Sequence, residues 1–369
     1  MVYGVDGHGY SPHGIGYSLL LAPAALAGAA AGEAAGKILA AFTCAVLSAA
    51  LFAVWFSLCT EVNGTAPGKW KSLLVAVGGM AAVYSKLPFD VTAAALLCTA
   101  SLLSSMRGRD AAAGALLGAA LLVRLDSIVF LPSLFAGRRS LRLVPGIAAA
   151  LLVIAALNRF RFGSVFEDGH SQDPAMAFAP GAAGLVGLLA SSGKGLVWFA
   201  PMVLPAIPRH RGWRLAMPLL LGIALHSQLY DWTGGTGWGP RFLFPALPAF
   251  LAPLAAPGRG GLPFKAAALW GVLLTLAAVW SNPCAVERSL GADSFDDPSR
   301  QAVIWSPARS PLLHTLAEIG SGAPDIFCVT VSQESRRAGA IACAGQAAWV
   351  LGALALPALS RSRKRNGRA

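Results

Sequence analysis

The chain has 369 residues, 56% hydrophobic and 12% charged, against about 25% charged residues in a soluble domain, which excludes an ordinary water-soluble fold. Its formal net charge is +12, but the basic residues form no single patch with interleaved aromatics, which argues against a nucleic-acid partner. They sit in short hydrophilic gaps between apolar blocks, the pattern of an all-α, polytopic integral membrane protein made of one transmembrane domain.

Residues 1–35 read as an outer segment. A polar, Gly-rich opening without a charged n-region predicts no cleavable signal, and the apolar stretch Ile15 to Ala31 is placed on the outer interface as a helix lying along the membrane. A transmembrane core follows over 36–281, with spans expected at 36–58, 72–84, 89–105, 111–123, 127–137, 143–157, 195–208, 215–230, 241–256 and 264–281. A polar outer loop at 282–338 and a last span at 339–358 with a basic tail complete eleven crossings. Taken alternately, the gaps put 17 basic and 2 acidic residues on one side, and 12 basic and 15 acidic on the other. The basic side is cytoplasmic by the positive-inside rule, so the N-terminus lies outside and the C-terminus inside.

Several spans are short. Thirteen helical residues over 72–84 rise only about 20 Å, against a hydrocarbon core near 30 Å. Arg124 and Asp126 then lie where the chain turns at membrane depth, and they are expected to pair, because an unpaired buried charge is costly. A cavity open to the outer face accommodates such short helices and charges. The long outer loops, 158–194 and 282–338, are where binding surfaces belong. Cys284 and Cys328, in one outer loop, are candidates for a disulfide or for two free thiols.

Four strings stand out: Tyr10-Ser11-Pro12-His13-Gly14, Tyr84-Ser85-Lys86-Leu87-Pro88-Phe89-Asp90, Asn158-Arg159-Phe160-Arg161-Phe162-Gly163 followed by Gly193-Lys194-Gly195, and Asp231-Trp232-Thr233-Gly234-Gly235-Thr236-Gly237-Trp238-Gly239-Pro240-Arg241. In this order they resemble the bacterial GT-C family of polytopic, lipid-carrier-dependent glycosyltransferases, relatives of protein O-mannosyltransferases and of the lipid A aminoarabinose transferase. The resemblance implies a transferase of the cell inner membrane that moves a sugar from a polyprenyl-phosphate carrier to a glycan, lipid or protein acceptor at the periplasmic or extracellular face. It further implies that the family's first span, and the principal acid that follows it, have no counterpart after Met1; Asp6 is what remains of that loop.

Displacing a lipid phosphate from an anomeric carbon calls for a carboxylate to orient or deprotonate the acceptor and for cations or a metal to stabilise the departing phosphate. Asp90, at the outer junction of two short spans, is the candidate catalytic acid with Asp6, although an Asp at a helix start also serves as an N-cap. Arg241, after the Gly-rich turn, is the candidate phosphate ligand, with a snorkelling interfacial Arg as the plain alternative. His13, Lys86, Lys194 and Tyr10 are further candidate substrate-binding residues. A divalent cation is compatible with this chemistry, and His8, His13 and His170 with Asp6, Glu167, Asp168 and Asp173 offer ligand types without a decisive spacing. A transporter or lipid translocase, or an inactive homologue, are the alternatives.

Overall fold

The computed structural model describes residues 2–320 except 12, 137–139, 211, 259 and 292–294, together with Asp325, Ala340 and Ala344. The described residues form an all-α assembly of seventeen α-helices, with one small hairpin of β1 (Val2–Tyr3) and β2 (Gly9–Tyr10). The expected span at 339–358 and Cys328 lie outside the described residues.

Three helical segments are long and apolar enough to cross a membrane: Glu33–Asn63, Leu141–Phe162 and Leu262–Trp280. The other apolar helices among the described residues are shorter, so the spans expected from hydropathy are not all of full crossing length. After α1 (Ile15–Ala31) and α2 (Glu33–Asn63), the segment expected at 72–84 is two short pieces, α3 (Lys69–Val77) and α4 (Met80–Tyr84). The break falls at Gly78-Gly79, where Gly79 is extended and the missing side chains weaken the helix. Next come α5 (Val91–Met106) and α6 (Asp110–Val123), then a 3-10 turn over Leu125–Phe130 that leads into α7 (Leu131–Phe135).

Helix α8 (Val144–Phe162) ends at Gly163, whose φ of 77° permits its N–H to reach back to the Arg159 carbonyl. It packs against α6 through glycines: a Cβ at Gly114 would stand 2.1 Å from the Leu143 carbonyl oxygen, and one at Gly118 would stand 2.3 Å from that of Gly146. This small-xxx-small spacing brings two backbones into direct contact.

The expected 158–194 loop contains the end of α8 and a further helix, α9 (Ala182–Ala190). Residues 195–208 are broken at Ala200-Pro201 into α10 (Leu196–Phe199) and α11 (Val203–Ala206); α12 (Trp213–His226) follows. Residues 241–255 run as 3-10 turns flanking α13 (Leu247–Leu251), ahead of α14 (Leu262–Trp280). Leu58, Val83, Leu102, Leu117, Leu143, Phe244 and Ala249 are buried together in the one large core.

Two expectations need correction. The 15–31 helix does not lie by itself along an interface: it folds back on α2 through Gly32. A Cβ on Gly36 would sit 3.0 Å from the Gly28 Cα, and Tyr17 reaches Cys44 at 3.7 Å. Where α2 crosses the membrane, as its length and composition allow, a helix packed antiparallel on it follows it and does not lie flat on the surface. The described part of 282–338 is likewise helical, as α15 (Pro283–Leu290), α16 (Pro298–Trp305) and α17 (Pro311–Ala317). Each begins with a side-chain cap, Asn282, Asp297 or Ser310, followed by Pro at the first helical position.

The gaps gather at two ends of the bundle. At one, Arg107 pairs with Glu61 at 3.2 Å, Lys71 donates to the Ala256 carbonyl at 2.9 Å and Arg214 donates to Ser105 at 2.7 Å. Residues 84–90, 124–126 and 226–241 meet at the other, and the candidate site lies there.

Candidate functional site

The Gly-rich segment between α12 and Arg241 has little secondary structure and is held by buried charges instead. Lys194, 1% exposed, donates to the Gly235 carbonyl at 2.9 Å, to that of Gly237 at 2.7 Å and to Glu287 at 2.8 Å. Arg300 donates to Glu287 at 2.5 Å and to the Gly235 carbonyl at 3.0 Å. Glu287 in turn accepts the Gly237 N–H at 2.9 Å. Tyr84 pins the far side of the turn by donating to the Trp238 carbonyl at 2.7 Å. Buried ions survive only when paired and hydrogen-bonded in this way, and the result is a fixed loop.

That loop delivers Arg241. A Cβ at Gly237 would lie 3.2 Å from the Arg241 Cδ, and one at Gly234 would lie 3.2 Å from its Nε, so the guanidinium occupies space that only glycines leave open. Its carbon sits 4.9 Å from the ring centroid of Phe89 and 5.5 Å from that of Phe242. Among the described residues Nε is buried without a hydrogen bond, and the one hydrogen bond the guanidinium makes, to the Thr236 carbonyl, is 3.5 Å long. Among the described residues no carboxylate lies within salt-bridge distance of Arg241. A half-buried guanidinium with open donors has the chemistry to bind an anion.

Beside it runs a chain of charges. Asp90 occupies the position before α5 but makes no side-chain cap bond; it accepts from Arg124 at 2.9 Å. Arg124 also donates to both carboxylate oxygens of Asp126, at 3.1 and 2.6 Å. The Arg124–Asp126 pair expected from sequence therefore forms, with Asp90 as an added partner. His226, absent from the sequence-based candidates, lies 3.0 Å from Asp126 through Nε2 and 2.8 Å from the Gly222 carbonyl through Nδ1. Its ring stacks on Phe242 at 4.7 Å, and Arg124 covers the same ring at 5.2 Å. Phe242 thus spaces the His226–Asp126–Arg124–Asp90 chain from Arg241.

The candidates divide as follows. Asp90 and Arg241 share one neighbourhood, and His13 is within electrostatic reach of both as well as of Arg124 and His170. Lys194 is in the interior, beneath the loop. Lys86 is engaged with the carbonyls at the end of α14, at 3.2 Å for Val279 and 2.6 Å for Ser281, and with Asp325 at 3.0 Å. Those acceptors take the ammonium donors, so Lys86 serves as a helix C-cap. Asp6 lies at the exposed tip of the β-hairpin, where it accepts from Tyr10 at 2.7 Å and pairs with His8 at 3.0 Å; Tyr10 is covered by Arg161 at 5.7 Å.

Among the described residues no group of three or more His, Cys, Asp or Glu side chains is arranged to hold a metal ion. The residues considered for one fall into local pairs and caps: Asp168 with His170 at 3.2 Å, Glu167 on the Gly169 N–H at 2.7 Å and Asp173 on the Ala175 N–H at 3.1 Å. The Asp168 carboxylate facing the ring holds the His170 imidazole above its ordinary pKa, and the imidazole holds the Asp168 carboxyl below its own. Cys284 is buried.

No protein family model, characterised protein or solved structure matches this chain. The reading of the site therefore rests on its own geometry.

Proposed function

We propose that the protein is a membrane glycosyltransferase that takes a sugar from a polyprenyl-phosphate carrier at the periplasmic or extracellular face of the cell membrane. The observation that carries this reading is Arg241: a guanidinium seated on two aromatic rings, one of them Phe89 next to Asp90, with no carboxylate in salt-bridge distance among the described residues. In this reading Arg241 binds the carrier phosphate and stabilises the charge that grows on it as the anomeric bond breaks. Asp90, held by Arg124 through one oxygen, keeps its other oxygen for an acceptor hydroxyl. Lys194, Glu287 and Arg300 fix the loop that aims Arg241, and Asp126 and His226 fix Arg124.

The three helices of crossing length support a membrane location, and the chemistry of a long apolar carrier with one phosphate suits a polar site at the end of an apolar bundle. The test is transfer of labelled sugar from a polyprenyl-phosphate donor by protein in lipid nanodiscs. Transfer that disappears in Arg241→Gln, with folded yield retained, is the expected result; absence of transfer and of donor binding by the unaltered protein overturns the reading.

A further inference from the structure

Helix α8 leaves one flank bare. Pro145, Ala149, Leu152, Ala156 and Phe160 are exposed at helical spacing, while the opposite side packs on α6 through Gly114, Gly118 and Gly146. An apolar stripe on a helix of crossing length faces lipid. From Val144 to Phe160 the helix rises about 24 Å, most of a hydrocarbon core near 30 Å, so Phe160 marks the far boundary of that core.

Beyond Phe160 the chain mixes apolar side chains with charged and polar ones. Gly163 redirects it, and Val165 and Phe166 stand out from the surface, Phe166 94% exposed. The N-terminal hairpin docks at the same place: the Val5 N–H donates to the Arg161 carbonyl at 2.9 Å, and Tyr3 exchanges two 3.0 Å hydrogen bonds with Gln172. Tyr3 and Val5 are themselves about two-thirds exposed, at 67% and 70%. Phe160, Val165, Phe166, Tyr3 and Val5 are thus exposed apolar side chains gathered about the end of α8, with Arg159 and Arg161 among them. Scattered apolar residues need no partner, but a gathered group does, and aromatic side chains beside basic ones suit the boundary between acyl chains and phosphate headgroups.

We propose that residues 2–5 and 160–166 form a platform seated in the headgroup layer of the bilayer, so that the loop after α8 and the N-terminal hairpin rest on lipid and do not project into water. Lipid is the occupant because the group stands at the end of the bare flank of α8, a helix apolar and long enough to cross a membrane. Gly169 packs against Val2 and Phe162 and so ties the hairpin to the loop after α8.

The test is nitroxide labelling of Phe166→Cys and, separately, Val5→Cys, in the full chain in phosphatidylcholine/phosphatidylglycerol nanodiscs, with the signal of the unsubstituted chain subtracted. Both positions are exposed, so folding is retained. The expected result is accessibility to oxygen with loss of accessibility to a water-soluble nickel complex. Free access of the nickel complex at both sites overturns the platform, and so does spin–spin broadening that vanishes on dilution with unlabelled chain, which would place a second copy there. Neither readout uses a polyprenyl phosphate, so failure of the platform and failure of the glycosyltransferase reading are separable.

Discussion

Arg241 holds its guanidinium carbon 4.9 Å from the ring centroid of Phe89, the residue immediately before Asp90. The aromatic face stabilises the cation without neutralising it, so the charge stays available to a ligand. Arg241→Gln should therefore leave the melting temperature in detergent nearly unchanged, while donor turnover falls by about 3 to 4 kcal/mol, or a few hundredfold. Arg241→Lys should recover only part of this, because a point charge lacks the planar fork. Full turnover in both variants would remove Arg241 from the site.

Asp126 is the junction of the neighbouring chain of charges, accepting from both Arg124 and His226. Asp126→Ala strips two buried groups of their shared acceptor, and the expected loss of stability is about 3 to 5 kcal/mol. Asp90→Asn removes only one of the acceptors of Arg124, so the expected loss is about 1 to 3 kcal/mol. Thermal unfolding in detergent should rank the two in that order.

Glu287 neutralises Lys194 and Arg300 together, with 2% of its surface exposed. In Glu287→Gln two buried cations face each other with one neutral amide between them, and the 233–237 loop loses its anchor. Limited proteolysis should cut in or near this loop in the variant and not in the unaltered chain. An unchanged cleavage pattern would show that backbone packing alone holds the loop.

The α6–α8 contact depends on missing side chains. Gly118→Leu would drive a side chain into the Gly146 carbonyl, which a Cβ alone would approach to 2.3 Å. The helices must then separate, and the expected destabilisation is about 1 to 3 kcal/mol or more. Gly118→Ala should be milder and Gly181→Ala, in open space, should have no effect on folded yield by fluorescence-detected size exclusion.

The Asp168–His170 pair gives the loop after α8 a pH signature. Asp168 is depressed below its ordinary 3.8, so its contribution is present above that value and is lost as pH falls through the depressed pKa. His170 is raised above its ordinary 6.5, so its contribution is present below that value and is lost as pH rises through the raised pKa. Amide exchange over residues 167–173, corrected for intrinsic rates, should be slowest between these limits. His170→Gln should abolish the alkaline limb.

Hydropathy and loop charge are local properties, and they make most helix positions legible: α2, α5, α6, α8, α12 and α14 fall within a few residues of the segments read from the sequence. Asp90, Arg124 and Arg241 stand out for the same reason, as charges between apolar blocks. The helices of 283–317 also had a local signal in Asn282-Pro283, Asp297-Pro298 and Ser310-Pro311, obscured by their polarity. What tertiary structure decided is which charges meet. Lys194, Glu287 and Arg300 are separated by 93 and 13 residues, and His226 and Asp126 by 100; nothing near any of them in the chain announces its partner. Hydrophobic burial acts on every apolar block alike, but whether a lysine ends beneath a loop, on a helix end or in an open site depends on which carbonyls and carboxylates the packed helices bring within about 3 Å of it. That is why the sequence placed Lys86, Lys194 and Arg241 in one class of candidates, and only the fold separated the cation with no carboxylate in range among the described residues from the two that have one.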